Sequence, residues 1–191
     1  MGIQSIALPG ENDSPFYLNN KAFCEDFESF ITDLGGQTTG SYNASSYNVK
    51  GRVDAPLRWI FQLKKSTYYS GYLFVSTKKQ SLQFWTIWKC KNLETDFPNF
   101  RVRKKRFGDS LRILISPSVC KFQNRRKYTI ISSQPNHALA NRLSSMLKFY
   151  LSDQSLLKMT YVDNELIIQV STEQILKNKF KELMNEKFRF S

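Results

Sequence analysis

FRVRKKRFGDSLRILISPSVCKFQNRRKY, running from Phe100 to Tyr128, is the stretch on which the fold of this chain turns. It holds ten lysines and arginines against one acid, Asp109, so ten less one leaves +9 of the chain's +12. A run this basic resembles the mobile, nucleic-acid-binding arms found at chain ends. The apolar run LRILI (Leu111–Ile115) at its centre points the other way. A short apolar run bounded by turn residues predicts a buried strand, here SLRILIS, and hence charges displayed on a rigid sheet.

Alternation gives those charges a direction. In FRVRKK, a strand puts Arg101, Arg103 and Lys105 on one face and Phe100, Val102 and Lys104 on the other. Three cations along one side span about 13 Å at roughly 3.3 Å per residue, a reach that matches several phosphates. RRKY adds Arg125, Arg126 and Lys127, and Arg106 completes the expected anion-binding set. Tyr68, Tyr69, Phe107 and Phe122 are the aromatics that would offer stacking faces beside them. The competing account is a solvated sheet face, or an edge strand whose charges discourage pairing with other chains.

Outward from this stretch the chain alternates with period two for nearly ninety residues. YNVKGRV, PLRWIFQLK, GYLFVST, SLQFWTIWK, FRVRKK, SLRILIS and KYTIIS are rich in Val, Ile, Phe, Tyr and Trp and are separated by turn residues. Trp59, Phe61 and Leu63 share one face of their strand, with Arg58, Gln62 and Lys64 on the other. With no crossover helices between them, these segments predict an antiparallel meander of about seven strands.

The flanks are helical. Phe23, Phe27, Phe30, Ile31 and Leu34 fall on one face of a helix over 20–34, capped by Asn19 or Asn20 and stopped at Gly35–Gly36. Its opposite face carries Glu25, Asp26, Glu28 and Asp33. Residues 1–18 read as an irregular arm built on the turn chemistry of PGENDSP, and GQTTGSYNASS (36–46) reads as a loop. After residue 133, Leu139, Leu143, Met146, Leu147 and Tyr150 mark a second helix. LKMTYV and ELIIQV then flank an Asp163–Asn164 turn, and Ser171 with Gln174 opens a last helix bearing Leu176, Phe180, Leu183 and Met184. The expected fold is therefore α+β. It is a single domain over 19–191 with an N-terminal helix, the meander and a C-terminal helix–hairpin–helix unit, any subdivision falling at 19–133 and 134–191.

Chemistry is sparse. His137 is the one histidine, too few for a metal site without Cys or carboxylate neighbours. GxSxG, GxGxxG and the P-loop pattern are absent, and the glycines at 35, 36 and 40 follow a helix where a phosphate cradle precedes one. Cys24, Cys90 and Cys120 are odd in number and widely spaced, which predicts reduced, buried thiols and a cytoplasmic setting. The first ten residues lack the basic and apolar regions of a secretory signal. The tryptophans Trp59, Trp85 and Trp88 read as packing.

The functional expectation is a non-catalytic, basic binding or interaction module without catalytic residues, metal or cofactor. It docks an anionic partner on Arg101, Arg103, Lys105, Arg106, Arg125, Arg126 and Lys127. Nucleic acid ranks first among partners, an acidic protein next and an anionic membrane surface last. A structural subunit using the sheet or the last helix as an interface is the alternative, and an enzyme with an unrecognised site comes third.

Overall fold

A computed structural model of the chain describes residues 2–54, 57–70, 79–93, 98–116, 118–121, 127–132, 134, 137–146 and 156–171. They form a mixed α+β structure in two compact units, one up to residue 87 and one from residue 88 onward.

In the first unit the strand order follows the chain: β1 (Ile3–Ser5), β2 (Gln37–Tyr42), β3 (Tyr47–Val53), β4 (Arg58–Ser70) and β5 (Lys79–Lys91), the last of which runs on into the second unit. Strict alternation of buried and exposed residues along β3 aligns with β4 so that Val49 faces Leu63, Gly51 faces Phe61 and Val53 faces Trp59. Helix α1 (Pro15–Asp33) covers this apolar face. Phe23 stacks on Tyr47 at 4.4 Å between ring centroids, and Phe30 meets Phe61 edge-on at 6.3 Å. Gly51 lets the helix come this close. A Cβ there would lie 2.6 Å from Ile31 and 3.0 Å from Phe27. Trp59 and Trp88 are buried, as packing residues should be.

The helix begins earlier than its periodicity indicates. Ser14 is the N-cap and Pro15 occupies the first helical position, where a missing N–H costs nothing. Asn20 is consequently inside the helix and buried. Its Nδ2 donates to the carbonyls of Asn43 (2.8 Å) and Ala44 (3.1 Å), and its Oδ1 accepts from the buried Lys65 Nζ at 2.9 Å. The stop falls where expected: Gly35 adopts φ +70°, and the Gly36 N–H donates to the Ile31 carbonyl.

Two stretches expected to lack regular structure acquire it from partners distant in sequence. The N-terminal arm contains β1, a 3-10 turn at Pro9–Glu11 and the start of α1; β1 pairs in parallel with β2, Ile3 opposite Gly40. The polar loop over 36–46 contains β2, held between β1 and β3. Glu28 of α1 braces the pairing by accepting from Thr38 Oγ1 at 2.8 Å.

In the second unit the order is no longer sequential. Its strands lie in the order β10 (Glu165–Val170), β9 (Leu156–Val162), β6 (Phe100–Lys104), β8 (Tyr128–Ser132) and β7 (Val119–Lys121). The β9–β10 hairpin turns on Asp163 and Asn164, both at positive φ, as a two-residue hairpin loop demands. Tyr161 Oη donates to the Leu93 carbonyl and pins the hairpin to the end of β5. GYLFVST and the last helix lie outside the described residues.

The central correction concerns SLRILIS, which forms helix α2 (Asp109–Ile115) instead of a strand. Gly108 at φ +92° breaks the extended path of β6, and Asp109 then anchors a helical turn. A further helix, α3 (His137–Met146), buries Ala140 and Leu143.

Candidate anion-binding surface

Strand β6 lies inside the sheet, paired with β9 on one side and β8 on the other, so its cations guard no edge. Phe100 and Val102 are buried, with Phe100 stacked on Tyr161 at 5.8 Å. Arg101 and Arg103 therefore share the opposite face, as alternation predicts. The register sets Arg101 opposite Thr160 and Ile131, and Arg103 opposite Lys158 and Thr129.

Two cations facing each other across strands, Arg103 and Lys158, would repel. Arg103 is neutralised. Its guanidinium grips Asp109 with both arms, Nη1 to Oδ2 at 2.7 Å and Nη2 to Oδ1 at 2.9 Å, and the pair is nearly enclosed. The Arg106 N–H also donates to Asp109 Oδ2 at 2.7 Å, and the Asp109 N–H returns a bond to the Arg106 carbonyl. Together the Arg103 guanidinium and the Arg106 N–H hold the Asp109 carboxyl at about 2, below the usual carboxylate range. The only acid in the basic stretch is thus consumed in holding α2 to β6.

A depressed carboxyl stabilises the fold above its unfolded pKa, and that contribution disappears as pH falls through about 4 towards about 2. Its size is roughly 2 kcal/mol. In urea titrations, the stability gap between the parent chain and Asp109→Asn should be largest above pH 5 and narrow as pH falls towards 2.

The expected site residues separate accordingly. Arg101 is exposed on β6; Lys105 and Arg106 are exposed in the loop after it; Lys127 is exposed just before β8. The Lys105 N–H donates to the Lys127 carbonyl at 2.8 Å, which brings those two segments together. Arg103 is removed from the accessible set by Asp109, and Lys105 stands beyond the end of the strand. Arg125 and Arg126 lie outside the described residues, as do Phe122 and the side chains of Tyr68 and Tyr69.

Other residues join that the sequence reading left out. Lys158 reaches the Arg101 face through the β6–β9 register, and Lys104 and Arg112 are exposed on either side of the Gly108 turn. The larger surprise is apolar. Phe107 is fully exposed, and Leu111, Leu114 and Ile115 are 63%, 79% and 79% exposed. Their spacing of four, three and one residues was a helical signal inside what read as a strand.

Burial pushes the Cys24 and Cys90 thiols up to about 12, far from reactive thiolates. Among the described residues no group of three His, Cys, Asp or Glu could hold a metal ion, and no helix is long and apolar enough to cross a membrane. No protein-family model matches the chain, and comparisons with curated proteins and with solved structures find no match.

Proposed function

We propose that this chain is a non-catalytic binding module that docks an anionic partner on the surface built from β6, the loop 105–108, α2 and the start of β8. The observation that carries this reading is the fate of Asp109. Its charge is spent on Arg103, while Arg101, Lys104, Lys105, Arg106 and Arg112 of the same segment are exposed. Buried Phe100 and Val102 fix the backbone that carries the first of these, so part of the array is ordered before a partner arrives.

Sequence alone ranks nucleic acid first among anions, and a single-stranded oligonucleotide is the simplest polyanionic probe. The chain should bind it with a logarithmic affinity that falls linearly with the logarithm of salt concentration, by about 0.7 per phosphate neutralised. Fluorescence anisotropy at several salt concentrations measures this slope. A slope near zero, or no binding at low salt, would remove nucleic acid as the partner, and the anion-docking reading falls if anionic vesicles are not bound either.

A further inference from the structure

Helix α2 is amphipathic the wrong way round for a helix of a folded core. At 100° per residue, Leu111, Leu114 and Ile115 occupy a sector about 100° wide whose centre lies opposite Asp109. Asp109 points inward to Arg103, and the apolar sector consequently points out. Phe107, one turn before Leu111, extends the same exposed group. Burying these four side chains in the protein would have been the ordinary outcome, and contiguous exposed apolar groups rimmed by charge mark interaction sites.

Three occupants are conceivable, and the surroundings discriminate among them. A second copy would bring another strongly basic segment against this one, so like charges would oppose pairing. A protein partner would ordinarily need about 800 Å² with anchors seated in pockets, whereas these side chains stand proud of the surface on a helix roughly 10 Å long. An anionic bilayer matches both parts. It accepts a convex apolar group into its acyl boundary, and its headgroups pair with the cations around it.

We infer that Phe107, Leu111, Leu114 and Ile115 insert into the surface of an anionic membrane, with Lys104, Lys105, Arg106 and Arg112 bound to lipid headgroups. This rests on the anion-docking function proposed above and assigns its partner. Insertion of this kind is peripheral and reversible, because it involves one short helix.

The test uses the full chain and vesicles of phosphatidylcholine with or without phosphatidylserine. Leu114→Trp serves as a reporter, read against the parent chain. Its emission should shift to the blue with phosphatidylserine vesicles and stay unchanged with phosphatidylcholine alone. Replacing Phe107, Leu111, Leu114 and Ile115 together by Gln should weaken vesicle binding about tenfold or more, since the apolar area is lost. The same variant should keep the parent's thermal stability and its oligonucleotide affinity. Lys105→Glu and Arg106→Glu should each weaken vesicle binding about fivefold or more. If vesicles fail to bind while the oligonucleotide binds with a normal salt slope, the membrane assignment is wrong and the anion-docking function stands. If neither binds, both are wrong. If the Gln variant loses oligonucleotide binding as well, the exposed apolar group belongs to a nucleic-acid surface, and the membrane assignment is overturned.

Discussion

Asp109→Ala should destabilise the second unit by about 2–4 kcal/mol, because it leaves the nearly enclosed Arg103 guanidinium without a counter-charge. For a chain of this size that corresponds to a fall in Tm of roughly 5–15 °C. The loss should be local in origin. Asp109 takes three hydrogen bonds that close the Gly108 turn and seat α2 against β6. Amide exchange at Leu111 and Arg112, whose N–H groups donate to the Gly108 carbonyl, should therefore accelerate before the sheet opens. Anion affinity should move the other way or stay level, since the substitution frees one arginine. Unchanged stability in Asp109→Ala would show that the pair does not hold the loop.

Reversing the exposed cations should do the opposite: large loss of binding, little loss of stability. Arg101→Glu, Lys105→Glu and Arg106→Glu together should weaken oligonucleotide binding about a hundredfold or more at low salt, as charge-assisted contacts become repulsive. The proper comparison is Lys21→Glu, Lys50→Glu and Arg52→Glu, which alters the net charge equally but uses exposed cations of the first unit. If binding reflects only the overall charge of +12, the two triple variants will weaken it alike. If it is a surface property, the second variant will stay near the parent.

The parts of this fold that were legible in the sequence are those set by local period. The α1 face, the alternation of β3 and β4, the Gly35 stop and the Asp163–Asn164 hairpin all follow from residues within a few positions of each other. What escaped notice depends on partners far along the chain. Strands β1 and β2 are short or polar and exist through each other. Lys158 joins Arg101 only because β9 pairs with β6 across more than fifty residues. The LRILI helix escapes for a different reason. Apolar content does not by itself fix burial, and the feature that turns this run outward, a lone acid reaching back six residues to an arginine, is invisible to hydrophobic patterning. Of the seven expected anion contacts, Arg101, Lys105, Arg106 and Lys127 are exposed, Arg103 is paired with Asp109, and Arg125 and Arg126 lie outside the described residues.

The most direct test of the anion-docking surface is the salt dependence of oligonucleotide binding in the two triple variants, measured side by side with the parent chain. If Arg101, Lys105 and Arg106 contact phosphates, their reversal should flatten the slope by about 2, at roughly 0.7 per lost contact. The variant of Lys21, Lys50 and Arg52 should keep the parent's slope. Equal slopes in all three proteins would contradict the assignment of this surface.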